Sequence, residues 1–281
     1  MKRRHILGAL FGSVLSLTMF TKSAHAVEPW LDRPLTLPSL HASADVGLGF
    51  GQYPTVSNNE VSHTWGSGAN IEAAVGVPIL GEVGVRTALR FGDDGKFSQG
   101  DRFGRLFDKQ TFDARATGRD TFANPEIFLR GTLVDVNIVA VGLETRFSLP
   151  AADDSKFGWA PGVPVRIRIP SLARIDTGIY VPFVFDDDTR YSVDIPAHVW
   201  FQSDQLFFGP LVGFRFNHFP TGPDTSENEA TIRLGGGVGY TVLSFIDLKA
   251  QVYFDRVNKI REGDNLGNQL GFGLGAGINI P

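Results

Sequence analysis

Over most of this chain apolar and polar residues alternate one by one, and the period of two holds for about ten residues at a stretch. In GFGLGAGINIP (271–281), Phe272, Leu274, Ala276, Ile278 and Ile280 share one side, while Gly271, Gly273, Gly275, Gly277 and Asn279 share the other. FIDLKAQVYFD (245–255) and ATIRLGGGVGYTV (230–242) repeat the pattern. Strict alternation with one apolar face is the signature of a β-strand. Twelve such segments are predicted, at 40–52, 66–77, 82–91, 124–133, 137–149, 163–170, 174–185, 191–202, 206–218, 230–242, 245–257 and 268–280. Soluble strands usually run ~5–6 residues. These are longer, and match the ~9–11 residues of a tilted strand that crosses a membrane.

The connections sort by parity. After the odd strands come 53–65, 92–123, 150–162, 186–190, 219–229 and 258–267, most of them long and polar. After the even strands come 78–81, 134–136, 171–173, 203–205 and 243–244, all short. A soluble sandwich has no reason to sort its loops this way. Long external loops and short periplasmic turns are the pattern of outer-membrane barrels. The expected fold is therefore all-β: a closed antiparallel transmembrane β-barrel of about 12 strands over 38–281. The last segment must pair with the first so that no strand edge is left in lipid, and the even count puts both termini on the periplasmic side. Pro281 stands where such barrels usually end on an aromatic residue, which predicts a weaker assembly signal.

The two faces carry different chemistry. Phe50, Phe91, Phe147, Phe185, Phe216 and Phe254 lie on the apolar phase, each near the long-loop end of an odd strand. They predict an aromatic girdle at one membrane interface. The other phase carries Asp45, Glu72, Arg86, Arg90, Glu126, Arg130, Glu144, Arg146, Arg166, Arg168, Arg174, Asp176, Asp194, His198, Arg215, Arg233, Asp247, Lys249 and Asp255. So many charges are too costly for a dry sandwich core, and are expected to line a lumen. On strands three to seven the basic residues of this set exceed the acidic ones by four. The glycines of this phase are expected to relieve crowding against the opposite wall.

The first 26 residues read as a cleaved secretory signal: MKRRH is basic, 6–20 is apolar, and Ala24-His25-Ala26 fits the cleavage pattern. Residues 27–37 are expected to form a periplasmic lead. Removing 1–26 takes away Lys2, Arg3, Arg4 and Lys22 and no acid, so the formal charge moves from −4 to −8. That balance does not suit nucleic acid. The chain has no cysteine, so neither a disulfide nor a lipidated cysteine is available. Its 33 glycines in 281 residues exceed the usual ~7% and disfavour a helical protein.

The hairpin NPEIFLRGTLVDVNIVAVGLETRFSLP (124–150), with ARIDTGIYVPFVF (173–185), resembles bacterial outer-membrane barrels, and is similar to the phenol meta-pathway outer-membrane transporter group. The resemblance implies fold and location, and no site residues.

No catalytic constellation is expected. His198 and Ser192 share a strand but stand ~20 Å apart, and His41 and Ser43, ~7 Å apart between Cα atoms on one lumen face, read as part of a polar lumen. No metal site and no cofactor are expected. Asp93, Asp94 and Asp101 in the longest loop do not have calcium-loop spacing. Phe97, Phe103, Leu106, Phe107 and Phe112 leave two options for that loop, a constriction folded into the mouth or a self-packed lid. Twelve strands lie between small filled barrels and wide porins. The expectation is a narrow pore or transporter for small polar or amphipathic solutes, weakly favouring anions. A plugged, non-conducting barrel is the alternative, and a lipid-modifying enzyme a distant third. Outer-membrane lipid, lipopolysaccharide, the barrel-assembly machinery and small anionic solutes are the expected partners.

Overall fold

A computed structural model describes residues 29–57, 60–91, 122–151, 155–186, 189–222, 225–243, 245–254, 257–258 and 270–281. The expected signal segment 1–26, most of the loop 92–123 with its acidic and phenylalanine residues, and Asp255 lie outside them. The strands are β1 (Ala42–Ser57), β2 (Glu60–Val77), β3 (Gly81–Phe91), β4 (Glu126–Asp135), β5 (Val139–Ser148), β6 (Gly158–Ile169) and β7 (Ala173–Tyr180). They continue as β8 (Phe183–Val184), β9 (Arg190–Ser203), β10 (Leu206–Gly222), β11 (Thr225–Leu243), β12 (Ile246–Phe254) and β13 (Leu270–Ile280).

All pairings are antiparallel, most of them between chain neighbours, and β13 closes on β1 from Ala42↔Ile280 to Gly51↔Gly271. β7 and the two-residue β8 together make one wall strand, since both pair with β6 and with β9. The result is a twelve-stranded closed barrel with one extra short strand. Both ends of the described barrel lie at the short-turn end.

Closure without an edge satisfies the backbone, and the alternation sets the faces. Val46, Leu48 and Phe50 on β1 and Leu248 and Val252 on β12 stand exposed on the outside, as do Phe272, Leu274 and Ile278 on β13. The buried set is strongly polar: Glu82, Arg86, Glu126, Arg130, Glu144, Arg146, Asp194 and Asp247 are all inside. The molecule is therefore inverted relative to a soluble domain, with lipid as its outer solvent.

Boundaries differ from expectation in four places. β1–β2 and β10–β11 run far past the predicted strand ends, the first in register to Ser57↔Glu60 and the second to Gly222↔Thr225 across a register shift after Pro220. Most of 53–65 and 219–229 is strand rather than loop. Backbone pairing continues there although the apolar phase, which only a lipid-facing wall requires, has stopped. β6 begins at Gly158 rather than 163, with Pro161 opposite Thr145 and Pro164 opposite Gly178. Pro161, inside the strand, hid its start. The predicted strand 174–185 is broken at Val181–Pro182. Val181 N donates to Pro161 O (2.9 Å) and Ser192 N to Pro182 O (3.0 Å), so the wall stays bonded across the break.

The lumen glycines also act differently from expectation. They do not make room for the opposite wall. A side chain at Gly84 would meet the ring of Phe128, one at Gly162 the ring of Tyr180, one at Gly239 the ring of Phe207, and one at Gly271 the ring of Tyr253. Each of these aromatics sits on the strand next to its glycine and is buried. Inward rings lie along the wall in recesses that glycine leaves.

Candidate channel lumen

The inward face brings most of the predicted charged residues together in short ladders, within a strand or between strands one or two apart. Glu72 and Arg86 pair at 2.7 Å, and Arg86 stands 3.8 Å from Glu126. Arg130 bridges Glu82 (3.0 Å) and Glu144 (2.5 Å), and Glu144 also accepts from Arg146. Asp176 takes Arg166 at 2.6 Å and Arg174 at 3.0 Å. Arg215 forks onto Asp194 at 2.5 and 2.7 Å. Lys249 pairs with Asp45, and Arg168 pairs with Asp135 at 2.7 Å. The guanidinium of Arg233 lies 5.0 Å from the ring centre of Tyr253. Arg86 and Arg130 flank Phe128 at 5.1 and 5.7 Å, within cation–π range. Such pairing offsets part of the cost of holding charge in a confined space.

Glu82 and Asp135 were absent from the predicted inward set. Glu82 shares the phase of Arg86 and lies within the predicted strand 82–91, so the phase alone already placed it inward. With both counted, the basic surplus on strands β3 to β7 drops from four to two. Arg90 lies on β3, but its side chain is outside the described set, as is that of Phe91. Of the predicted girdle, Phe50, Phe185 and Phe216 are exposed on the outer face, and Phe147 and Phe254 are half-buried there. On one side the rings run on as a ladder. Phe147 and Phe157 are 6.3 Å apart, Phe157 and Phe185 5.8 Å, and Trp159 and Phe183 5.7 Å.

The lumen also holds most of the segment 27–37 expected as a periplasmic lead. Residues 30–37 lie inside the short-turn end of the barrel. Trp30 stacks on Phe207 at 4.1 Å and 2° and meets Trp200 edge-on at 6.1 Å. Arg174 donates to the Trp30 carbonyl, and Arg166 Nη1 donates to the carbonyls of Arg33 (2.6 Å) and Pro34 (2.5 Å). The Leu31 amide donates to Gln202 (3.0 Å), the Leu37 amide to Glu82 (2.9 Å), and Thr36 meets Thr132 at 3.0 Å. Arg33 forks onto Asp247. Leu31 and Leu35 are buried. These partners come from β3, β4, β6, β7, β9, β10 and β12, so the segment is tied to most of the circumference. Leu35, Pro164, Asp176, Tyr180 and His198 line a cavity of about 10 Å³ beside it, room for one water.

The site is thus a polar lumen, narrowed at one end by a strap that is not part of the wall. Two arginines predicted to attract anions, Arg166 and Arg174, instead hold the strap's backbone. The sequence signal was present: Trp30, Leu31, Leu35 and Leu37 are an unusual density of apolar groups for a solvated lead.

No family model matches this chain, and no curated protein matches it. Solved structures do. An outer membrane channel from Pseudomonas putida F1 superposes with a TM-score of 0.58 at 9% identity, covering 88% of this chain and 99% of that one. The NanC porin follows with a TM-score of 0.49 at 8% identity, over 85% of this chain and 99% of that one. The KdgM porin gives 0.48 at 6% identity, over 84% and 98%. The first of these likenesses, spanning nearly the whole of both chains, shows that this chain has the fold of a bacterial outer-membrane β-barrel.

Proposed function

We propose that this protein is an outer-membrane channel for small polar or amphipathic solutes, narrowed at rest by its own residues 30–37. In this reading the short-turn end and both termini face the periplasm, and the long connections face lipopolysaccharide outside. The barrel-assembly machinery is the partner such a location implies. The observation that carries the reading is the strap itself. Its partners are side chains of the wall, bonded to it by reversible contacts, so it can leave without opening the barrel's backbone ladder. A lumen built only as a brace has no need of a separable piece.

Selectivity follows from the charge ladders. Nearly all the inward cations are paired, and the surplus on strands β3 to β7 is small. Arginine-lined pores favour anions, so the preference is for anions and it is weak. Amphipathic solutes fit because inward rings interleave with the ion pairs.

Planar-bilayer recording tests the proposal on two chains, residues 27–281 and residues 38–281. The expected result is a small, intermittent conductance from the first and a larger, steadier one from the second. Silence from both chains, each folded by heat-dependent gel mobility, would mean that the ion pairs brace a closed barrel. The pairing of Arg130 with both Glu82 and Glu144 favours that second reading.

A further inference from the structure

The short-turn end of the barrel is rimmed by apolar groups that water does not reward. Ile79 is fully exposed and Leu40 is 80% exposed. Leu80, Val136, Ile138 and Leu172, from the turns after β2, β4 and β6, are each more than half exposed. The turn between β9 and β10 interrupts the rim with exposed Asp204 and Gln205.

The backbone gives an independent reason to single out these positions. Leu40 (φ 67°) and Ile79 (φ 72°) lie in the left-handed region, as do Ser171 (φ 59°) and Asp204 (φ 53°). Tight turns favour Gly, Asn or Asp there, and a β-branched residue in that region is an outlier. Asp204 suits both its backbone and water. Ile79 suits neither. A conformation of this kind persists where the surroundings repay it. An apolar phase around the side chain would do so.

We propose that the rim from Leu40 through Leu172 is immersed in the headgroup–acyl boundary of the phospholipid leaflet on that side, with the Asp204–Gln205 turn left in water. Lipid is the occupant because the patch continues an existing lipid surface. Val75, Val85, Leu129 and Ile169, on the strands leading into these turns, are exposed on the barrel's outer face. With the Asp204–Gln205 turn in water, while exposed Leu243 and Phe245 continue the rim beyond Leu40, immersion tilts the barrel axis toward Ile79, the usual accommodation when a hydrophobic surface is taller than the local bilayer. The inference holds whether or not the lumen conducts.

The absence of cysteine makes the test direct. Ile79→Cys, Ile138→Cys, Leu172→Cys and Asp204→Cys are each made in residues 27–281 and labelled with an environment-sensitive fluorophore. Each is refolded into phosphatidylethanolamine–phosphatidylglycerol vesicles, and heat-dependent gel mobility confirms folding. The expected result is blue-shifted emission at 79, 138 and 172, with quenching by lipid that carries a nitroxide near its headgroup. The label at 204 should show neither, and iodide should quench it. Iodide quenching at all four positions overturns the proposal. Protection from iodide without lipid quenching at 79, 138 and 172 also overturns it, and points to a protein or a second copy of this chain on the rim. An Ile79→Asn variant carrying the label at 138 guards against a local effect of the cysteine. Asparagine suits the turn, so its fold is retained, and the emission at 138 should move toward that of water as one side of the rim lifts.

Discussion

Arg33 and Asp247, 214 residues apart in the chain, are joined by a two-pronged ion pair with Nη1–Oδ2 at 2.5 Å and Nη2–Oδ1 at 3.0 Å. Asp247 is buried and also accepts from Thr241 Oγ1 (2.8 Å) and Asn279 Nδ2 (3.2 Å). The wall partner is therefore fixed before the strap arrives. Arg33 supplies the charge that the fixed carboxylate would otherwise face alone. Replacing Arg33 by Gln should leave the barrel folded, because Thr241 and Asn279 still satisfy the carboxylate. It should weaken the strap's hold by about 1.5–3 kcal/mol, the range for a hydrogen bond to a charged group. Limited proteolysis near residue 33 should become faster in folded protein. Unchanged protection would mean that Trp30 and the two arginines hold the strap without this pair.

The ring-in-recess packing makes a stability prediction. Phe207 is fully buried over Gly239, and Trp30 covers its other face. The ring cannot swing away from a new side chain. Gly239→Val should destabilise the barrel by about 1–3 kcal/mol, the usual cost of overpacking. Combining it with Phe207→Ala should recover part of the loss, since the valine then fills vacated space. Urea unfolding in detergent measures both, and a double variant that only adds the two losses would refute the shared recess.

Much of this arrangement was legible in the residues, and the exceptions have physical causes. Alternation located all twelve wall strands, because lipid outside and polar groups inside impose a strict period of two. It lost the ends of β1, β2, β10 and β11, where the wall leaves lipid and only backbone bonding continues. It lost the start of β6 to Pro161. In the lumen, phase assigned Arg166 and Asp176 to one face, yet phase is silent on who pairs with whom. The inward rings of Phe128, Tyr180, Phe207 and Tyr253 share the phase of the charges beside them, and attention to charge alone passed over them. The strap was the hardest part to read. Eight residues with no periodicity declare their place only through partners as remote as Asp247.

The outer face yields a third prediction. Leu248 is 49% exposed as the third of the nine residues of β12, opposite Ala276 on one neighbour and Tyr240 on the other. Leu248→Arg should cost up to ~2–4 kcal/mol, the range for a charge on the lipid face at the bilayer midplane, and less in proportion as position 248 nears the interface. Leu248→Met keeps volume and polarity and should cost under ~1.5 kcal/mol. Equal losses in equilibrium unfolding from vesicles would place Leu248 away from the bilayer interior.

Arg166 and Arg168 stand two residues apart on the inward phase of β6, yet they should act on different properties of the channel. Arg166 is buried, and it spends its donors on Asp176 and on the strap carbonyls of Arg33 and Pro34. Arg168 lies toward the short-turn end and pairs with Asp135, a carboxylate that is 40% exposed. Arg166→Gln removes an anchor, so open time and mean conductance should rise. Arg174 still serves Asp176, which keeps the wall intact. Arg168→Gln leaves the strap tied but exposes the charge of Asp135 at the mouth. Its conductance should stay near that of the parent chain, while the reversal potential in a salt gradient moves toward cations, as carboxylates at a pore mouth favour them. Because Asp135 is already partly in water, the change should cost little stability. A common effect of the two substitutions, on open time or on reversal potential alone, would contradict the division of labour between strap anchor and mouth charge.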